Sequence, residues 1–342
     1  MHKRGADIDS ASFNMILVIL VTIILMLAIL AAYIAVVLTS RPKPVPDNTE
    51  TEGEQTATDD YPLKTDDIVI ELPDTDEAKN IISDDLINSD KAILVDITTN
   101  EIVASRQASQ IIYPASMTKV MTLIVIAENI KSEDDLDDVI MISKDYNGNS
   151  GYGFKIGEQL TVRDLIYAAI LQSDGVACLE LADYIAGSEA SFVKLMNEKA
   201  REMGLEGKST LFQNCTGLHH QYHFSTCRDM AVIMAYAMNN PFCKNVLTSI
   251  KYKPSEVFRP DEGCTFWSTL LHNRLSDGNL QPNRAEIIGG KTGLTEQETS
   301  GYCIVSYAKG KDGHFYISVT AKAESWKANV QDILNNFNEY VK

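Results

Sequence analysis

Positive charge is scarce in this chain: 30 lysines and arginines stand against 47 aspartates and glutamates, a formal net charge of −17 over 342 residues. Such a balance repels a phosphate backbone, so no nucleic-acid partner is expected. The six cysteines, at positions 178, 215, 227, 243, 264 and 303, include no C-x-x-C pair, which removes the zinc and redox motifs built on that spacing. In an exported domain an even count permits three disulfides in fifteen pairings, but cysteine also serves as a small apolar residue. Free, mostly buried thiols are the expectation. No internal repeat is present. With 45% hydrophobic residues the chain can still build a sizeable core.

One long run lacks charge altogether. Met15 to Leu38 is 24 residues with Thr22 as its one clearly polar side chain, enough to cross a hydrocarbon layer of roughly 30 Å as a helix. The run continues past Ala31-Ala32 through Tyr33, which predicts a retained signal anchor rather than a cleaved signal peptide. Lys3 and Arg4 before it are matched by Arg41 and Lys43 after it, so the orientation follows from what lies beyond. From Asp47 to Glu77 there are twelve acidic residues and one lysine, in a setting of Pro44, Pro46, threonine and asparagine. That stretch has too little apolar surface to fold and reads as a tether, either a solvated spacer or an acidic docking segment. The expected organisation is a cytoplasmic tail over 1–14, a transmembrane anchor over 15–38, an acidic disordered linker over 39–78 and an extracytoplasmic folded domain over 79–342.

Within that domain, Glu77 to Ser89 predicts a short helix, and Ala92 to Asp96 with Glu101 to Ala104 predicts a hairpin turning at Thr99-Asn100. Pro114 precedes a strong helical pattern from Ala115 to about Asn129. Further helices are expected at Val162 to Ile170, Val176 to Ala186, Glu189 to Met203 and Thr226 to Met238. Strand signals return at Ala285 to Gly289, Gly301 to Ala308 and His314 to Ala321, before a last amphipathic helix from Trp326 to Tyr340. Strands at both ends enclosing a helical block predict an α+β domain whose sheet joins its two termini.

Two motifs could carry chemistry. In Ser116-Met117-Thr118-Lys119 the three-residue separation sets hydroxyl and ammonium on one helix face. A serine near unpaired backbone N–H groups can have its alkoxide or oxyanion steadied, and a lysine can activate it where the surroundings disfavour the charged amine. Taken alone, the same pattern fits a helix-capping serine followed one turn later by a surface lysine. The second motif, Lys291-Thr292-Gly293, follows Gly289-Gly290 just upstream of a predicted strand. A strand edge at Gly293 would let a substrate backbone lie alongside. Thr292 would offer a hydroxyl to a carboxylate, and Lys291 a second positive charge that disfavours protonation of Lys119. Its bland alternative is a turn before a strand. Between the two, Ser173-Asp174-Gly175 lies in a break between predicted helices.

In this order the motifs resemble those of the penicillin-recognising serine peptidases, with their S-x-x-K, S-x-N and K-T-G set, and most of all the low-molecular-mass D-alanyl-D-alanine carboxypeptidases. Tyr113 to Lys119 resembles their nucleophile segment, and Gly157 to Leu165 the lead into their second motif. Phe212-Gln213-Asn214, Gly217-Leu218 and His223 to Ala231 resemble their central stretch, and Gly290 to Thr295 their third motif. The similarity runs from about residue 80 to the end. It implies a β-lactamase/transpeptidase-like domain, with an antiparallel sheet flanked by helices and a helical subdomain, that trims peptidoglycan stem peptides ending in D-Ala-D-Ala and is acylated by penicillins. By the same resemblance Ser116, Lys119 and Ser173 would be catalytic, while Lys291, Thr292, Gly293 and Leu294 would bind substrate. The family usually has Asn where this chain has Gly175, so an amide that would contact substrate and help hold Lys119 is missing. That departure keeps open a penicillin-binding wall-associated scaffold with weak or no turnover. A β-lactamase is disfavoured because no Glu-x-x-Leu-Asn arrangement lies between the second and third motifs. No cofactor is implied. His219-His220 and His223 fall in an expected loop without an acidic ligand at matching spacing, so no metal is assigned to them, and Asp229 reads as a helix-start residue.

Overall fold

The computed structural model of the chain describes residues 72–73, 78–144, 151–205, 209–259, 263–276, 278–296 and 298–342. The expected tail and anchor, and all of the expected linker except Leu72, Pro73 and Ala78, lie outside the described residues. Among the described residues no helix is long and apolar enough to cross a membrane.

Six strands form the central sheet: β1 (Asn80–Ile81), β2 (Lys91–Asp96), β3 (Glu101–Arg106), β4 (Ala285–Leu294), β5 (Tyr302–Gly310) and β6 (Phe315–Ala323). Their spatial order is β1-β3-β2-β6-β5-β4, with β1 parallel to β3 and every other pair antiparallel. The β2–β6 pairing joins the start of the domain to its end, as the distribution of strand signals predicts. β2 is buried on both faces because its side chains alternate between two cores. Ile93 and Val95 point into the larger one with the helical block, Ala92 and Leu94 into the smaller one under the last helix.

Among the described residues seven α-helices pack with the sheet: α1 (Lys119–Asn129), α2 (Val162–Leu171), α3 (Gly175–Ala186), α4 (Glu189–Glu202), α5 (Cys227–Asn239), α6 (Pro241–Thr248) and α7 (Trp326–Tyr340). Nine of the eleven residues of α1 are buried, so it is a central rod around which other helices pack. On the opposite side of the sheet α7 presents Val330, Ile333 and Phe337 to the smaller core. Caps fix where the helices begin. Thr161 and Asp164 form a reciprocal capping box at α2, Asp174 accepts from Ala177 N at α3, and Thr226 accepts from Asp229 N at α5. Asp229 therefore sits in the first turn of its helix, where its carboxylate takes the Thr210 hydroxyl at 2.6 Å.

The fold is α+β, a sheet antiparallel except at its β1 edge and flanked by helices, and it differs from the sequence pattern at three places. The helix expected from Glu77 to Ser89 is instead the short β1 and a turn, because remote groups take its polar atoms. Asn80 Nδ2 donates to Val103 O, and the Asn88 and Ser89 amides donate to Asp332 on α7. Ser116 lies not on an α-helical first turn but on a 3₁₀ turn, Ala115–Thr118, that leads into α1. Lys291-Thr292-Gly293 lies inside β4 rather than ahead of a strand. The register against β5 shifts between Ile287 and Gly289, ahead of the motif, and a Cβ at Gly290 (φ +145°) would stand 2.3 Å from Val305 O. Ahead of β1, Leu72 is buried, and Arg228 holds the Leu72 and Pro73 carbonyls at 2.5 and 3.2 Å.

Candidate active site

The turn that carries Ser116 is shaped by its neighbours. Ala115 takes a left-handed φ of 47°, a conformation that disfavours a side chain by about 1–2 kcal/mol and that the surrounding contacts must hold in place. Two glycines allow those contacts. A Cβ at Gly217 (φ +84°) would lie 1.9 Å from Ala115 O and 2.9 Å from Ser116 N, so the 214–218 loop rests directly on the nucleophile turn. A Cβ at Gly293 would lie 2.8 Å from Pro114 O, so β4 crosses the same turn from another side.

Lys119, at the first position of α1, is fully buried and donates to Ser116 Oγ at 3.1 Å and to the Thr216 carbonyl at 2.6 Å. A second pair stands beside it. Lys291, also buried, donates to Ser173 Oγ and to the Thr292 carbonyl, both at 3.0 Å. Every one of these bonds ends on a neutral oxygen. Burial, reinforced by the Lys119 charge, pushes the Lys291 ammonium well below its ordinary value. Ser173 is held at φ 59° in the break before α3, and the Thr292 hydroxyl contacts that of Thr269 at 2.9 Å. The structure thus brings Ser116, Lys119, Ser173, Lys291, Thr292 and Gly293 together, with Leu294 at the partly exposed end of the same strand. β4 is an edge strand of the sheet, paired on one side with β5.

Around this centre the polar groups are satisfied. Asp174 caps α3 and accepts from Tyr152 N at 2.7 Å. Burial raises its carboxyl against the opposing effect of those amides and of the Lys119 charge. His223 accepts from Gln213 N at Nδ1, which leaves its Nε2 proton for Thr118 Oγ1 at 2.8 Å. Burial, with smaller effects of His220, His219 and Lys119, pushes this imidazole down to about 3. His219 packs edge-on against Tyr113, and His220 Nδ1 accepts from Tyr222 N. All six cysteines are buried and unpaired; burial pushes Cys178, whose thiol donates to Asp174 O, up to about 11.

Two contributors escape a sequence reading. The Thr216 carbonyl carries no residue-type signal, although Asn214 and Gly217-Leu218 mark its neighbourhood. Thr269 meets Thr292 through a contact that only the fold brings about.

Comparison with known proteins gives a consistent picture. The sequence profile of the family described as D-alanyl-D-alanine carboxypeptidase matches residues 78–325. The chain is 32% identical over 230 residues to D-alanyl-D-alanine carboxypeptidase DacC of Escherichia coli, covering 64% of this chain and 53% of that protein. It is 31% identical over 221 residues to DacF of Bacillus subtilis, with the same two coverages. The chain therefore spans about half the length of the curated relatives it matches. Among solved structures, penicillin binding protein 5 from Haemophilus influenzae superposes with a TM-score of 0.62 at 25% identity, over 72% of this chain and 69% of that one. A DD-transpeptidase from Streptomyces gives 0.62 at 25% identity, over 74% and 96%.

Proposed function

This chain belongs to the D-alanyl-D-alanine carboxypeptidase family, and on that premise we propose that it removes the terminal D-Ala from peptidoglycan stem peptides through an acyl-enzyme on Ser116. The observation that carries the proposal is the buried Lys119 amine 3.1 Å from Ser116 Oγ, with neutral oxygens as its partners. The Lys119 amine accepts the Ser116 proton as Oγ attacks the penultimate D-Ala carbonyl. Collapse of the tetrahedral intermediate breaks the amide C–N bond, and the departing D-Ala amine takes up a proton relayed from Lys119 through Ser173. Water then attacks the Ser116 ester and gives a proton to Lys119, which returns it to Ser116 Oγ as the ester C–O bond breaks and the shortened peptide leaves. By family resemblance the backbone N–H groups of Ser116 and Leu294 hold the oxyanion. The free edge of β4 suits a peptide that adds as an extra strand, its terminal carboxylate facing Thr292 and the charge of Lys291. A penicillin presents a reactive carbonyl and a carboxylate to the same groups and stops at the ester.

The charge-free run over 15–38 anchors the chain in the membrane, and the acidic stretch that follows spaces the catalytic domain on the extracytoplasmic side, where stem peptides are. Gly175 favours a second reading, a wall-bound protein that is acylated but turns over poorly. Release of D-Ala from a synthetic pentapeptide ending in D-Ala-D-Ala separates the two. Sustained multiple turnovers support the carboxypeptidase, a burst of one equivalent per protein supports the scaffold, and no release together with no penicillin adduct contradicts both.

A further inference from the structure

Gly175 removes a side chain at the point where relatives place an amide beside the base, yet Lys119 still has two partners. The second is the Thr216 carbonyl, at 2.6 Å. Two partners matter for this base. A lysine amine swings on four carbon–carbon bonds, so a single contact to Ser116 leaves its direction open, and a second contact on fixed backbone closes it.

The Thr216 carbonyl is aimed by one side chain. Asn214 Oδ1 accepts from Thr216 N at 3.2 Å, from Thr216 Oγ1 at 3.2 Å and from Gly217 N at 2.7 Å, while Asn214 Nδ2 donates to Leu218 O at 2.9 Å. These four bonds fold residues 214–218 about a single amide. On the far side of the loop, Gly217 rests against Ala115 and Ser116, and Thr122 on α1 donates to the Cys215 carbonyl at 2.7 Å. The loop is therefore registered against both the nucleophile turn and the helix that carries the base.

We propose that Asn214 is a positioning residue for acylation: it holds the Thr216 carbonyl on Lys119 and so performs the orienting role that the second-motif amide would otherwise serve, which is why the site tolerates Gly175. The role rests on the Ser116–Lys119 reading above and adds to it a residue that touches neither substrate nor nucleophile.

The test measures acylation of the full-length chain by a fluorescent penicillin at varied concentration, which separates the acylation rate constant from the affinity of the preceding complex. Asn214→Ala lowers the rate constant by roughly 10- to 100-fold, the range expected when a base is misplaced by about 1 Å, and changes the affinity little. Asn214→Asp, which keeps the Oδ1 acceptor, recovers most of the rate. In a Gly175→Asn background the loss caused by Asn214→Ala shrinks, because the restored amide shares the role. An unchanged rate constant in Asn214→Ala, or an equal loss with and without Gly175→Asn, overturns the proposal. If Asn214→Ala does not fold, Asn214→Gln decides: its amide stands one methylene too far, so the rate constant falls if the role is real and stays at the wild-type value if it is not. A wild-type chain that forms no adduct overturns the acyl-enzyme reading and this role with it, whereas an acylated wild type with an equally fast Asn214→Ala overturns this role alone.

Discussion

Gly217→Ala places a methyl group where the nucleophile turn already is. Two effects separate cleanly, because Gly187 has a similar φ, +73° against +84°, but no atom within 4 Å of the position its Cβ would take. Gly187→Ala therefore reports the left-handed backbone penalty alone, about 1 kcal/mol. Gly217→Ala adds the steric effect, since its Cβ would meet Ala115 O at 1.9 Å and that contact must open by more than an ångström. Overpacking of this kind costs typically 1–3 kcal/mol, so the expected total is about 2–4 kcal/mol. At roughly 2–4 °C per kcal/mol for a domain of this size, its melting temperature falls by about 5–15 °C. The displaced atoms are Ala115 and the Ser116 amide, so a movement of about 1 Å also slows penicillin acylation on the order of 100-fold. The assay pairs thermal denaturation with acylation rates for both variants. If Gly217→Ala melts with Gly187→Ala and is acylated at the wild-type rate, the 214–218 loop does not rest on the nucleophile turn.

His223 makes stability fall in acid. Its folded value of about 3 lies below the ordinary 6.5, so the unfolded chain binds the extra proton between them. The stabilisation is complete above pH 6.5 and is lost as pH falls toward 3, by at most about 4–5 kcal/mol. Urea denaturation between pH 7 and 4 should show this slope, and His223→Gln should flatten it. Lys291 gives a pH dependence of the opposite sense to binding. Its ammonium titrates well below its usual range, so affinity for an anionic D-Ala-D-Ala peptide should weaken as pH rises through that lowered value, while affinity for the C-terminal amide stays level. A parallel dependence for both peptides would remove Lys291 from carboxylate binding. Asp332→Ala strips the acceptor from the Asn88 and Ser89 amides and the Ser89 hydroxyl. It should destabilise the domain by about 3 kcal/mol, with acylation kinetics unchanged at temperatures below the melting transition.

The helical block was legible because its signals are local. The Thr161–Asp164 box, Asp174 and Thr226 stand in sequence next to the helices they start, and the apolar pattern after Pro114 extends through the buried α1. Where remote groups decide, the pattern misled. Residues 77–89 carry a helical rhythm, but Asp332, more than two hundred residues away, claims the amides of Asn88 and Ser89. The strand signal ends at Gly289 in the sequence, whereas pairing with β5 runs on past a register shift between Ile287 and Gly289 and carries Lys291 to Gly293 in the same strand. The site divides in the same way. Spacing puts Ser116 and Lys119 on one face but leaves a helix-capping serine and a surface lysine as an equal alternative; the structure buries the lysine and gives the pair a hydrogen bond. The Lys291–Ser173 contact spans 118 positions, and no spacing in the sequence points to it. The Thr216 carbonyl could not be reached at all, since any residue type supplies a carbonyl.

The most direct test of the account is mass spectrometry of the full-length chain after exposure to penicillin, with the adduct mapped by proteolysis. The account predicts one covalent equivalent on the peptide that contains Ser116 and none on Ser116→Ala. No adduct on the wild type, or one that survives Ser116→Ala, would contradict it.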